Sequence, residues 1–222
     1  IQTRADKAWD ITTGDTSVVI AIIDNAFDLK HKEIKSNIRK GRNTARRIRD
    51  IFKSRSDSSV HGTHVAGIAL GKANNNFGLC GIAPDCSFMP IQASNDDNSF
   101  FSTDVIDGIL YAINHGADVI NMSLGMGCRD PRGNLLINPI RTESELNELK
   151  NNFKTDQAQF WDLLFKKANE KNIFIVVAAG NDWIPVGVDP KSRSSLALKV
   201  CATDINLKRA DYSNFCIESD IG

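Results

Sequence analysis

The sequence predicts an α/β fold with a mostly parallel central sheet and helices on both of its faces. Two observations support this prediction: short continuous apolar runs recur along the chain, and stretches with helical spacing lie between them. Continuous apolar runs are typical of strands that are buried on both sides, as in parallel sheets. Strands that alternate with helices at this spacing indicate a sheet wound with helices on both faces.

The first predicted strand is the β-branched run 18–23, which follows Gly14 and Asp15 and ends at Asp24. Runs of the same character follow at 88–91, 119–122, 173–178 and 198–201. Helical spacing predicts helices at 64–70, 103–114 and 156–169, the last with Phe160, Leu163, Leu164 and Lys167 in register. Reactive loops gather beyond the carboxyl ends of such strands, so the residues that follow the strands are the functional candidates.

The length and charge of the chain limit its organisation and its partners. We expect a single domain over 1–222, with a polar surface insertion at 126–155. Lys and Arg together number 27, as do Asp and Glu, so nucleic acid is not an expected partner. No apolar run approaches the roughly 18 residues that span a bilayer, so a membrane is not an expected partner either. The basic stretch 39–55 lacks interleaved aromatic residues, which favours a solvated surface over a phosphate-binding patch.

The cysteines leave the compartment open. They form no C-x-x-C pair and no zinc-finger spacing with histidine. The five are Cys80, Cys86, Cys128, Cys201 and Cys216. In a secreted protein an odd number implies a free thiol or an intermolecular bridge, whereas in a reducing compartment they would be small buried apolar residues. The chain begins at Ile1 without Met or a signal-like segment, as expected of a processed or trimmed product.

Three polar residues stand where a strand ends or a helix begins. Asp24 ends the first strand, although an Asp there is more often a turn former or a helix cap. His61 opens the segment His-Gly-Thr-His-Val-Ala-Gly, whose small residues allow close helix packing and which lacks the HExxH pattern of a metal site. Asn181 follows an apolar strand, where its amide can form a turn or donate a hydrogen bond to a developing oxyanion.

Together these blocks resemble the subtilisin-like serine peptidase family, the subtilases or peptidase family S8. Four segments occur in the family's order and approximate spacing: HGTHVAGI (61–68), GIAP (81–84), DVINMSLG (118–125) and VVAAGN (176–181). The resemblance covers nearly the whole chain and implies a subtilisin-like α/β fold. It also implies a serine endopeptidase that hydrolyses peptide bonds with an Asp-His-Ser triad.

The resemblance implies a role for each matching residue. His61 would be the general base that takes the proton of the nucleophile and returns it to the leaving amine. Asp24 would orient the imidazole, and Asn181 would donate to the oxyanion. His64, the second histidine of the motif, would be structural.

The resemblance also implies how substrate binds. A peptide or protein partner would add as a strand along one segment, Ser123, Leu124 and Gly125. One wall of the principal specificity pocket would come from Ala178, Ala179 and Gly180. The small size of these residues predicts a roomy, apolar pocket.

No cofactor is implied for the chemistry, but the resemblance extends to a structural calcium site. The segment Asn74–Leu79, which contains Asn75, is similar to the family's calcium loop, and Glu33 falls where an acidic ligand is often found. Carboxylate and carbonyl oxygens suit Ca²⁺. A plain Asn/Gly turn is the alternative.

The family's serine block, Gly-Thr-Ser followed by Met or Ala, does not occur in the sequence. Residues 212–215 resemble a stretch upstream of that block, so we expect the chain to be truncated before the serine, which lies on an omitted segment or a second chain. Alone, the chain is predicted to be inactive because His61 has no nucleophile to activate. The alternative is a non-catalytic pseudoenzyme or peptide-binding module.

Two further expectations follow from the comparison of the motifs. Asp24 is followed by Asn25 and Ala26 where the family usually has Ser or Thr and then Gly. The insertion 126–155 directly follows the predicted substrate-binding segment, so we expect it to border the cleft and narrow substrate choice. Family members are commonly secreted, which favours a secreted or extracytoplasmic location.

Overall fold

The computed structural model describes residues 3–49, 51, 60–95, 99–125, 127–128, 130, 132–138, 140 and 142–215. The chain divides into two compact units, residues 1–123 and 124–222. The expectation of a single domain over 1–222 stays a prediction. In the described part of the chain, no helix is long and apolar enough to cross a membrane.

Four parallel strands form the sheet of the first unit, in the order β2-β3-β1-β4. They are β1 (Val19–Asp24), β2 (Arg42–Asn43), β3 (Ser87–Gln92) and β4 (Val119–Met122). The register pairs Ile20 of β1 with Phe88 of β3 and with Val119 of β4, so β1 is an inner strand. Three of these strands are the predicted apolar runs. The fourth, β2, has only two residues and gives no apolar run that the sequence could reveal.

Helices cover both faces of strand β1. The helices of this unit are α1 (Ala5–Trp9), α2 (His61–Leu70) and α3 (Ser102–Asn114). Ile22 packs in one hydrophobic cluster with Ala66 and Leu70 of α2. Its neighbour Ile23 is among the closest side chains to Gly108 of α3. Successive side chains of a strand point to opposite faces, so α2 and α3 lie on opposite sides of β1, as predicted.

The second unit contains two parallel strands and two helices. Strand β5 (Phe174–Ala178) pairs with β6 (Ala197–Val200), and the helices are α4 (Glu143–Asn152) and α5 (Thr155–Asn169). A short 3-10 helix spans Pro190–Arg193. Helix α5 confirms the helix predicted at 156–169, and the structure shows which of its faces is buried. Phe160 and Leu163 are exposed, and the buried residues are Trp161, Leu164, Phe165 and Ala168.

The polar segment 126–155 contains helix α4, which the sequence interpretation leaves out. Thr142 and Glu145 form a capping box, in which each side chain accepts a hydrogen bond from the other residue's backbone N–H, at 3.2 and 2.9 Å. The pattern Thr-x-x-Glu before a helix is a signal that the sequence does contain. Leu146 of α4 packs in a hydrophobic cluster whose other buried members are Cys128, Ile184 and Val188.

The basic stretch 39–55 is described only in part, because residues 50 and 52–59 lie outside the described ranges. In the described part, the Arg39 guanidinium donates a hydrogen bond to the Thr16 carbonyl at 2.7 Å. This cation is therefore engaged within the protein itself.

Two of the cysteines pack as small apolar residues, as one of the two interpretations expects. Cys86 lies in the cluster around Ile22, and Cys128 lies in the cluster around Leu146. Cys216 lies outside the described residues.

Candidate active site

Strand β1 carries Asp24 to the carboxyl end of the first unit's sheet. The residue is only 1% exposed. Its Oδ1 accepts a hydrogen bond from the Asn25 backbone N–H at 2.7 Å, and its Oδ2 is buried without a hydrogen-bond partner among the described residues. Burying a carboxylate is costly unless hydrogen bonds or a positive charge compensate it.

His61 supplies the compensating group. It is the first residue of helix α2, three residues before the predicted start of that helix. Its Nδ1 lies 2.8 Å from Asp24 Oδ1, and its side chain is 52% exposed. A hydrogen bond from Nδ1–H to a carboxylate fixes the tautomer and leaves Nε2 able to accept a proton. The two residues that the sequence links only through a motif are therefore in direct contact.

The contact with Asp24 changes the acidity of the imidazole. The hydrogen bond to the Asp24 carboxylate raises the pKa of His61 above its ordinary value of 6.5, partial burial opposes this, and attraction to the carboxylate's charge adds to it. Protonated His61 is thus favoured in the folded state. The stabilisation that protonated His61 gives to the folded state is fully present below the ordinary pKa of histidine. It is lost as pH rises through the raised pKa of His61.

Gly62 explains how the helix approaches the strand so closely. A Cβ at this position would lie 2.5 Å from the Ala26 carbonyl oxygen and 3.0 Å from the Asp24 Cβ. Such distances exclude any side chain, so glycine is required for α2 to begin beside Asp24. The second glycine of the motif, Gly67, has no atom within 4 Å of a Cβ position. Only one of the motif's two glycines is therefore needed for close packing.

Asn25 is a contributing residue that the sequence interpretation missed. It is 5% exposed, and its Oδ1 accepts hydrogen bonds from Ala26 N–H at 2.7 Å and Gly62 N–H at 3.0 Å. One carboxamide thus connects the end of β1 to the first turn of the helix that carries His61. Ser94 Oγ holds the Asn25 carbonyl at 2.7 Å. In the sequence, Asn25 was visible only as a departure from the family's usual Ser or Thr.

In the second unit, Asn181 follows strand β5 and is exposed. Ala178 ends the strand, and the buried Ala179 donates its N–H to the Val200 carbonyl at 2.9 Å. Gly180 has φ of +111°, a conformation that favours glycine. The chain therefore turns sharply just before Asn181 and leaves that residue at the surface.

The predicted substrate-binding residues are distributed over both units. Ser123, in the first unit, follows strand β4, and its Oγ accepts a hydrogen bond from Asn121 Nδ2 at 3.0 Å. Leu124 and Gly125 come next in the chain and belong to the second unit. A Cβ at Gly125 would lie 3.9 Å from Asp189 Oδ2 and 4.0 Å from Lys191 Nζ.

The neighbours of Gly125 are charged. Asp189 and Lys191 form an ion pair in which the Lys191 side chain is 5% exposed and the Asp189 side chain 16% exposed. Asp189 Oδ1 also accepts from the Lys191 backbone N–H at 3.1 Å. A buried ion pair therefore lies beside Gly125. The roomy, apolar pocket expected along Ala178, Ala179 and Gly180 stays a prediction.

Sequence comparison agrees with this geometry. The sequence matches the subtilase family, peptidase S8, over residues 15–221. The chain belongs to the subtilase family. Among its relatives are a thermophilic serine proteinase of Bacillus sp. (strain AK1), 30% identical over 213 residues, and a calcium-dependent protease of Trichormus variabilis, 31% identical over 215 residues. Each alignment covers 96% of this chain, but only 45% and 30% of the respective relative. The chain thus spans less than half the length of these relatives.

Solved structures support the predicted subtilisin-like α/β fold. A protease from Pseudoalteromonas arctica gives a TM-score of 0.73 at 24% identity, over 98% of this chain and 65% of that one. A lanthipeptide protease gives a TM-score of 0.71 at 20% identity, over 96% of this chain and 56% of that one. At these identities the likeness concerns the fold.

The predicted calcium residues of this subtilase lie together. Glu33 is 3% exposed, and its Oε2 lies 3.4 Å from Asn75 Nδ2. Glu33 Oε1 is buried with no hydrogen-bond partner among the described residues, and a Cβ at Gly78 would lie 2.4 Å from it. The loop therefore closes tightly around one carboxylate. Across the described ranges, no group of three or more His, Cys, Asp or Glu could hold a metal, so a cation here would rely on amide and backbone oxygens.

We expect Asp24→Asn to lower the pKa of His61 toward or below its ordinary value of 6.5, because the variant removes the charge and the hydrogen bond that raise it while the opposing effect of burial remains. An NMR pH titration of the ¹³C-labelled His61 ring would measure the change. Asp28→Asn is the matched control, since Asp28 Oδ1 accepts from Lys30 N–H and not from His61. An unchanged His61 pKa in Asp24→Asn would contradict the coupling.

Proposed function

We propose that the complete protein is a serine endopeptidase, with Asp24 and His61 as two members of its Asp-His-Ser triad. The 2.8 Å hydrogen bond between His61 Nδ1 and the buried Asp24 carboxylate is the observation that supports this most directly. Membership of the subtilase family and the protease names of its relatives support it further. The expected substrates are peptides or proteins.

In the proposed mechanism, His61 Nε2 takes the proton of the serine hydroxyl as its oxygen attacks the scissile carbonyl carbon. Asp24 holds the ring orientation and stabilises the imidazolium that forms. His61 then returns the proton to the leaving amine, and an attacking water repeats the cycle to release the acid. The serine block does not occur in residues 1–222, so we propose that the nucleophile comes from a segment outside this sequence, on the same or a second chain.

We assign the oxyanion and substrate contacts by the same resemblance. Asn181, exposed after the sharp turn at Gly180, would donate its side-chain N–H to the tetrahedral oxyanion. An extended peptide would pair with the backbone of the segment Ser123, Leu124 and Gly125. Its principal side chain would lie against the segment Ala178, Ala179 and Gly180.

A fluorophosphonate probe tests the proposed function. In the complete protein we expect one labelled serine, outside residues 1–222, because only an activated serine displaces fluoride from phosphorus. His61→Ala and Asp24→Asn should slow labelling strongly. In subtilisin itself, loss of the corresponding side chains lowers turnover by about 10⁶-fold and 10⁴-fold. His115→Ala is the control, since the His115 ring stacks on Tyr111 at 3.8 Å between ring centroids.

A non-catalytic peptide-binding protein is the second candidate, favoured by the absence of a serine block in the 222 residues. Such a protein would bind extended peptides without labelling by the probe. Complete lack of label in the complete protein, together with saturable peptide binding, would replace the first proposal by this one.

We further propose that Glu33 and Asn75 help to hold a structural calcium ion. A buried carboxylate oxygen without a hydrogen-bond partner among the described residues fits a hard cation. To bind the cation through oxygen, Asn75 would have to turn its amide, whose Nδ2 now faces Glu33 Oε2. The relatives from Trichormus variabilis and Nostoc sp. are named calcium-dependent proteases. Bound calcium would neutralise Glu33 and fix the loop 74–79.

Removal of calcium should lower the melting temperature of the protein by several degrees, because a ligand at a hundred times its Kd stabilises the folded state by about 2.7 kcal/mol. Scanning calorimetry with Ca²⁺ or with a chelator measures this difference. Glu33→Gln should abolish the calcium response. Asp85→Asn, which alters a carboxylate that bonds to Thr13 and Lys72, should retain it. A response equal in all variants would contradict this site.

We also propose that the insertion 126–155 borders the substrate site. Its Leu146 packs with Ile184 and Val188, and Arg193 donates to the Lys150 carbonyl at 3.1 Å. The insertion is thus attached to the segment 184–193, and Asp189 of that segment lies beside Gly125.

Replacing residues 126–155 by a short Gly-Ser linker in the complete protein should broaden the range of peptides that it cleaves. Mass spectrometry of the products from a peptide library measures the cleavage profile. Thr142→Ala, which removes only the α4 cap at a cost of about 1 kcal/mol, should leave that profile unchanged. An unaltered cleavage profile after the replacement would contradict a role of the insertion in substrate selection.

The names of the relatives do not agree on a compartment. One relative, from Natrialba magadii, is named an extracellular protease, and another, from Paenibacillus polymyxa, an intracellular one. A secreted or extracytoplasmic location therefore stays a prediction of the family resemblance.

A further inference from the structure

We propose that Asn214 is a positioning residue for Asn181: its side chain holds the turn 179–184, from which Asn181 would donate to the oxyanion. This inference rests on the proposed function. Asn214 touches neither the substrate nor the reacting atoms in that mechanism. It acts through the backbone on both sides of Asn181.

The carboxamide of Asn214 bonds to three backbone groups of the turn. Its Nδ2 donates to the Ala179 carbonyl at 2.9 Å, two residues before Asn181. Its Oδ1 accepts from Asp182 N–H at 2.9 Å and from Ile184 N–H at 3.2 Å. The side chain is buried, with the residue 6% exposed. A single planar group therefore fixes the chain on both sides of Asn181.

Backbone hydrogen bonds add to this attachment. Asn214 N–H donates to the Gly180 carbonyl at 2.9 Å, and Phe215 N–H donates to the Ile184 carbonyl at 3.0 Å. The turn and the segment around Asn214 thus form one hydrogen-bonded unit, in which the carboxamide occupies the centre.

Gly180 shows how closely the carboxamide fits. A Cβ at Gly180 would lie 2.3 Å from Asn214 Nδ2, and φ of Gly180 is +111°. Any side chain at position 180 would displace the Asn214 amide. The glycine in the Ala-Ala-Gly-Asn motif is therefore required by a residue far downstream as well as by its own backbone conformation.

Only a carboxamide satisfies the three groups. An aspartate of the same shape accepts from Asp182 and Ile184 but cannot donate to Ala179, and its charge would lie in a buried site. Serine is too short to reach both sides of the turn. A donor to an oxyanion must be held to about 0.5 Å, so a loosened turn weakens the interaction that forms as charge develops in the transition state. Ground-state binding of substrate does not depend on that interaction.

Ser213 provides a matched control. It is the adjacent residue, 0% exposed, and its Oγ accepts from Ala202 N–H at 3.0 Å and donates to the Asn214 carbonyl at 3.1 Å. These hydrogen bonds run away from the turn 179–184. Ser213→Ala therefore disturbs the same buried segment without changing the attachment of Asn181.

The experiment uses the complete protein and the fluorophosphonate probe, whose phosphoryl oxygen gains negative charge as serine attacks. Labelling of the wild type comes first, and its failure would reject the proposed function rather than this inference. We expect Asn214→Asp to lower the maximal labelling rate about 10- to 100-fold, a part of the 10²–10³-fold that loss of the oxyanion donor costs in subtilisin itself. The probe's half-saturating concentration should change less than about 3-fold.

A double-mutant comparison separates positioning from general destabilisation. Asn181→Ala combined with Asn214→Asp should be no slower than Asn181→Ala alone, because Asn214 acts only through Asn181. Ser213→Ala should label at the wild-type rate even if it melts earlier. Effects of Asn181→Ala and Asn214→Asp that multiply, or an equal loss in Ser213→Ala, would overturn the inference.

A second variant keeps the inference testable if Asn214→Asp fails to fold. Gly180→Ala disturbs the same contact from the other side of the turn, because its Cβ meets Asn214 Nδ2. Gly180 also belongs to the proposed specificity pocket, so the criterion here is the maximal labelling rate, which should fall as it does in Asn214→Asp. Wild-type labelling by a folded Gly180→Ala protein would count against the role of Asn214.

Discussion

The hydrogen bond between His61 Nδ1 and Asp24 Oδ1 constrains how strand β1 and helix α2 of the first unit are placed. It requires a carboxylate at the end of an inner strand and an imidazole at the start of a helix on one face of that strand. Both demands are met by backbone features. The buried position of Asp24 follows from β1 lying between β3 and β4, and the approach of His61 follows from the missing side chain at Gly62. The chemistry of the site is thus inseparable from close packing of strand and helix.

The sequence predicts the elements whose residues carry a strong pattern. Apolar runs identify β1, β3, β4, β5 and β6. The residues of β1 and β3 are buried almost throughout, as expected of strands covered on both faces, whereas burial alternates along the other three. Helical spacing identifies helix α5, but it does not tell which face is buried, because large apolar residues lie on both faces of this helix. The contact of Asp24 with His61 was predicted through the motif resemblance. Spacing by itself gives no reason why these two residues should meet.

Asn25 and Asn214 could not be found from the single sequence for a different reason. Their roles depend on backbone groups that lie 37 and 35 residues away along the chain. An asparagine after a strand or in a polar stretch reads as an ordinary turn residue, because nothing in its neighbours indicates a distant partner. Burial is the property that distinguishes the two, at 5% and 6% exposure, and burial is visible only in the folded chain.

The two asparagines solve the same physical problem in the two units. In each, one Oδ1 accepts from two backbone N–H groups: Ala26 and Gly62 for Asn25, Asp182 and Ile184 for Asn214. A carboxylate could accept these bonds equally well, but beside Asp24 it would add a second buried negative charge and disturb the pair with His61. A hydroxyl is shorter and reaches fewer donors. The neutral carboxamide therefore joins segments distant in sequence without altering the charge at the proposed site.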